Sequence, residues 1–190
     1  TDQVVALNSN QLAALNTAQA AALTTAQVAS MTTAQVASMT TAQVAKLTNV
    51  QLTALTTAQA ANLGTEQVAA LTATQIKAVN TADLTKLSTA QIGAINNLAV
   101  AAMTTEQVST LTSTQVGALS TAQTAVLTAA QVQGAGTSFI ASLTTDAVAS
   151  LTNAQARAMT TDQVKALSVL SVAALSANQL NAMTTTQVQS

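Results

Sequence analysis

"LTTAQVASMTTAQVASMTTAQVAKL", residues 23–47, says nearly the same eight-residue phrase three times. A period of eight matches neither the 3.6 of an α-helix nor the 2 of a β-strand, so the architecture turns on what that period means. Dividing each residue number by eight and keeping the remainder gives a register position from zero to seven. Position seven runs from Leu7 to Met183 and is Leu, Met, Val or Ile in 22 of 23 cases, so a large aliphatic recurs every eight residues. Position zero is always Thr, Ser, Asn or Gly, position four is mostly Val, Ile or Leu, and position three is mostly Gln. The frame never slips. The expectation is one continuous octad array over residues 1–190 with no internal domain boundary.

A low-complexity chain rich in Ala, Thr and Gln can be disordered, but disordered chains lack large aliphatics in fixed register. A continuous helix fails arithmetically. Eight residues at about 100° each overshoot two turns by roughly 80°, and the aliphatic stripe would circle the helix within about five repeats. A β-solenoid fails as well, because period-two alternation is absent and turn residues do not recur in each octad. A short helix that restarts every octad remains. With Thr24 as N-cap, its hydroxyl accepts from the Gln27 N–H while the Gln27 side chain reaches back to the Thr24 N–H, which is a capping box. Leu23 and Val28 then stand at the spacing of the hydrophobic staple.

The charges agree. The acids Asp2, Glu66, Asp83, Glu106, Asp146 and Asp162 fall at the second or third position of each expected helix. The bases Lys46, Lys77, Lys86, Arg157 and Lys165 fall at the fifth or sixth. A helix dipole favours this sorting, so each charge is expected to be solvated and matched to its helix end.

One octad buries too little to offset the backbone entropy of ordering it. Stability must come from stacked coils, with Ala and Ser at positions five and six permitting close approach. The expected fold is therefore all-α, a solenoid of very short capped helices around a narrow Leu/Val core. Three of the five replacements of Gln (Ala99, Ala147, Ser171) are multiples of 24 residues apart. The most apolar octads, 96–103 and 168–175, lie 72 apart, as do the Gly caps Gly64 and Gly136. These offsets favour three octads, 24 residues, per coil. Near "QGAGTSFIASL", residues 133–143, Phe139 is expected to fill the space left by Ala135.

Composition narrows the function. The chain has no His, Cys, Trp, Tyr or Pro, a net charge of −1, and 6% charged residues. No Ser–His or Cys–His nucleophile can be built, no carboxylate pair or Gly-rich phosphate loop occurs, and no basic or aromatic surface is present for nucleic acid. No enzyme activity, catalytic residue, metal or cofactor is expected. No apolar run of about 18 residues occurs, so no membrane insertion is expected. The sequence opens at Thr1 without an initiator Met or an apolar h-region, so no signal peptide is expected within it. Neither end carries a polar capping repeat, which leads to the expectation of a segment of a longer array or a unit that associates with itself, end to end or laterally. The second Thr of the octad (Thr25, Thr33, Thr41, Thr57) is expected to be exposed and to form a regular lattice, as on ice-binding surfaces.

"LTTAQVASM" and "LGTEQVAAL" are similar to repeats in very large bacterial secreted or surface proteins of the adhesin type. The resemblance covers the whole chain. It implies an extracellular or cell-surface location and a structural role as stalk, spacer or filament segment. The same phrase resembles the opening of a TAL-effector repeat, but the rest of that unit is missing and DNA reading is not carried over. The alternatives are a solenoid that binds a protein or glycan and the Thr-array ice-binding surface.

Overall fold

The computed structural model describes residues 2–190, with the Asp2 side chain left aside; expectations resting on Thr1 or on the Asp2 carboxylate lie outside the described residues. Twenty-four short helices run from α1 (Asp2–Val5) to α24 (Thr185–Val188), and no strand occurs among the described residues. Each starts at register position one, as the capping box requires; α18 (Gly136–Ser142) alone begins a residue early.

The octad divides into about six helical residues and two extended ones. In α4 (Thr25–Ser30), α5 (Thr33–Ser38) and α6 (Thr41–Lys46), the N-cap is a Thr in the β region with φ near −72°. The aliphatic before it is extended too: Met31 has φ −62° and ψ 147°. The Met31 N–H donates to the Val28 carbonyl at 3.2 Å, tightening the last turn before the chain leaves the helix. Two consecutive β-region residues thus make the corner. Any L-residue adopts that geometry, which is why the array turns every eight residues with no Pro and no recurring Gly.

The chain divides into two compact units, residues 1–102 and 103–190. In the first, α3 (Thr17–Ala21) packs on α6, α7 (Asn49–Thr53) on α10 (Ala73–Ala78), and α10 on α13 (Asn97–Ala102). In the second, α14 (Thr105–Ser109) packs on α17 (Ala129–Gly134), and α17 on α20 (Asn153–Ala158). Each helix meets the third one along. One coil is therefore three octads, the 24-residue period that the Gln replacements pointed to. The interior is the expected one: Val36, Val44, Val68, Ile76 and Ile92 at position four are buried with Met39, Leu47 and Leu71 at position seven.

Four expectations change. Positions five and six are mostly half-buried or exposed, so the close contacts between coils come chiefly from elsewhere. Close approach persists at two glycines, where an added Cβ would sit 3.3 Å from Thr105 at Gly134 and 3.8 Å from the Ser142 carbonyl at Gly117. Gly64 is an extended N-cap (φ −67°), whereas Gly136 is not. It takes φ +81°, following Ala135 in the helical region, so this corner is turned by a left-handed Gly. The coil length was right although one of the observations offered for it was not.

The third change concerns Asp83, which is buried rather than solvated. The fourth concerns the Thr lattice. With three octads to a coil, Thr25, Thr33 and Thr41 stand on three different helix columns, and residues sharing a column are 24 apart, as are Thr41, Thr65 and Thr89. Phe139 follows expectation in being buried, as is Ala135.

Candidate functional site

The feature that recurs with most chemical definition is the side chain at position three. Sequence reasoning assigned it to the capping box, and the box is present. In α6 the Thr40 N–H donates to Gln43 Oε1 at 2.7 Å, and the Gln43 N–H donates to Thr40 Oγ1 at 3.2 Å. The box uses the amide oxygen and leaves the amide nitrogen. That nitrogen, Nε2, donates to the preceding coil: to the Leu12 carbonyl at 2.9 Å, Ala13 at 3.4 Å and Leu15 at 2.7 Å.

The offsets of 31, 30 and 28 residues repeat down each unit. Gln35 reaches Val4, Val5 and Leu7; Gln59 reaches Val28, Ala29 and Met31; Gln67 reaches Val36, Ala37 and Met39. In the second unit Gln155 reaches Thr124, Ala125 and Leu127, and Gln179 reaches Val148, Ala149 and Leu151. The acceptors are carbonyls at the C-terminal end of a helix, where intrahelical donors have run out. One Gln therefore closes the start of its own helix and the end of another one coil away. The side chains are buried, Gln43 at 1% exposure, and no buried side-chain polar atom among the described residues lacks a partner.

Where Gln is missing the structure answers differently each time. At Ala99 the N-cap takes over: Asn96 Oδ1 accepts from the Ala99 N–H at 2.9 Å, while its Nδ2 donates to Ala69 at 3.0 Å and Leu71 at 2.7 Å. Phe139 substitutes a buried ring. Ser171 turns to its own cap, with the Ser168 and Ser171 hydroxyls 2.8 Å apart. Ala147 offers no donor.

The outer surface is weakly charged. Glu66, Glu106, Asp146, Asp162, Lys46, Lys77, Lys86, Arg157 and Lys165 are all exposed. Among the described residues no group of three or more acidic, His or Cys side chains could hold a metal, and no helix is long and apolar enough to cross a membrane. The second Thr of the octad is exposed at Thr25, Thr41 and Thr57 and half-buried at Thr33. Large exposed aliphatics are few. In the first unit Val50 and Leu98 both stand at the second helical position, on α7 and α13, with α10 stacked between them. In the second unit Val169 and Leu170 open α22 (Val169–Ala173).

Residues 1–33, 21–49 and 76–113 match the ALTTAQ repeat family. The matched segments carry the boxed and clamped octads described above, and the chain is a repeat protein of short helices. No matched segment reaches past residue 113, although the octad frame and the glutamine clamp continue there as before. No curated protein matches the chain.

Proposed function

We propose that this array is a structural module: an elongated stalk, spacer or filament-forming segment of an extracellular or surface-exposed bacterial protein, continuous over residues 1–190. Supporting this reading is the glutamine clamp, repeated from coil to coil. A surface evolved to recognise one ligand concentrates unusual side chains in one place, whereas here the same polar contact recurs at each turn and serves the stack itself. The work of such a module is geometric. Stability accumulates through nearest-neighbour contacts, and length is set by the number of octads. A coil face that offers Gln donors on one side and helix-end carbonyls on the other also suits association with a second copy, end to end.

The test is small-angle scattering on a series that adds or removes 24 residues at a time. The spacer reading expects the maximum dimension to grow in equal steps with coil number; a dimension that stays constant as coils are added would overturn it. Secretion is a separate question, answered by locating the parent protein in fractionated cells. A second reading, a solenoid that binds a protein or glycan, draws on Val50 and Leu98, which share one helix column. Replacing both with Thr should abolish capture of a surface partner if that reading is right and leave the scattering unchanged. The Thr-array ice reading now rests on one column, Thr41, Thr65 and Thr89, and thermal hysteresis lost on their replacement by Val or Lys would be needed to sustain it.

A further inference from the structure

Two N-caps that have a coil before them are Asn rather than Thr, Ser or Gly: Asn80 and Asn96. Each precedes an octad in which Gln is missing, replaced by Asp83 and Ala99. Beside Ala99 the Asn96 side chain caps its helix with Oδ1 and clamps the preceding coil with Nδ2, through carbonyls 27 and 25 residues earlier. The same offsets from Asn80 point to the carbonyls of Thr53 and Leu55. Asn80 makes the cap, its Oδ1 accepting from the Asp83 N–H at 2.8 Å. Its Nδ2 does not make the clamp. It donates instead to Asp83 Oδ2 at 2.5 Å.

We propose that Asn80 is a latent inter-coil clamp held off by Asp83, so that the carboxylate sets a yielding point between α8 (Thr57–Ala61) with its preceding corner and α11 (Thr81–Leu84). A carboxylate is acceptor-only, so Asp83 cannot donate to the carbonyls that Gln Nε2 reaches elsewhere. By its charge it also outcompetes a neutral carbonyl for the Asn80 amide. The donor is thereby diverted from the coil below, and no side-chain donor reaches the Leu52, Thr53 or Leu55 carbonyls. On either side the clamps are made, by Gln75 to Val44 and Leu47 and by Gln91 to Ala60, Ala61 and Leu63. The contact is also loose: a cavity of about 20 Å³ lies here, with Leu52, Thr53, Leu55, Ala60 and Asp83 in its wall. A void of that size beside the Asn80–Asp83 pair leaves space for the amide to turn.

The Asp83→Ala variant recreates the Asn96–Ala99 arrangement and tests the inference directly. Native-state hydrogen exchange on the full chain is compared for the wild type, Asp83→Ala, the double variant Asn80→Ser/Asp83→Ala, and Gln75→Ala as a control. Serine keeps the cap, as Ser88 does, but is too short to clamp. Asp83→Ala is expected to slow exchange in residues 80–85 about five- to tenfold, the equivalent of about one net hydrogen bond. The double variant is expected to lose that gain, and Gln75→Ala to exchange faster in its own helix. The proposal is overturned if Asp83→Ala leaves exchange unchanged, speeds it or fails to fold. It is equally overturned if the gain survives in the double variant, because relief of the buried charge alone would then explain it.

Discussion

A primary amide at position three does what no other side chain of its size can. It is an acceptor at one atom and a donor at the next, and the array needs both: an acceptor for the cap N–H and a donor for the helix-end carbonyls of another coil. Gln43 shows the consequence. Gln43→Ala should cost about 2–4 kcal/mol, since it leaves an amide proton and several buried carbonyls without their partner and opens a small void. Gln43→Glu should cost more, although it keeps nearly the same shape and can still accept from Thr40. It places a buried negative charge against three carbonyl oxygens in place of a donor. Urea melts of the two variants at neutral pH give the comparison, and a Glu variant as stable as the Ala variant would contradict the donor role. The sequence contains a sign of this. A capping box accepts Glu as readily as Gln, and an acid near a helix start is favoured by the dipole. Yet Glu stands only at position two, as Glu66 and Glu106, and never at position three.

At the scale of one helix, local chemistry was fully legible: the restart, the Thr or Ser cap, the Gln box and the aliphatic pair all lie within eight residues of each other. The reach of Gln Nε2 was not, because it depends on which octads are neighbours in space, and near-identical octads say little about that. Glycine shows the same limit. Gly64 and Gly136 occupy the same register position, but the first keeps the extended corner and the second follows Ala135, whose helical backbone forces a left-handed turn. They should respond in opposite ways to Thr, the usual residue there. Gly64→Thr supplies the missing half of the box, and its Cβ meets only Gln67 Oε1 at 3.6 Å; thermal melts should show a gain of about 0.5–1 kcal/mol. Gly136→Thr meets no neighbour within 4 Å, yet φ +81° is strained for a β-branched residue. It should lose at least about 1 kcal/mol. Equal responses at the two sites would mean that the corner at 134–136 relaxes to the ordinary form.

For the whole array the governing quantity is register, because each clamp spans 28 to 31 residues and any insertion or deletion between its ends changes that span. Removing one octad, residues 56–63, brings Gln67 to the spacing at which it meets Val28, Ala29 and Met31, positions equivalent to its present partners Val36, Ala37 and Met39. Gln75 likewise moves to Val36 and Met39. The clamps re-form one octad earlier, and the variant should keep a cooperative helical melt. Removing only residues 56–59 deletes a cap and a Gln and puts Gln67 and Gln75 four residues out of phase. The amides would then face the solvent side of the preceding coil, and aliphatics at positions four and seven would lose their place in the core. Stability in a solenoid is a sum of repeat and interface contributions, so the damage should stay local to the broken interface. Circular dichroism should show two transitions for the four-residue deletion and one for the octad deletion in that unit, with exchange protection lost around residues 36–47 and 67–79 only in the former. If the two deletions melted alike, the clamp register would not be what aligns the coils, and burial of the aliphatic core alone would have to be sufficient.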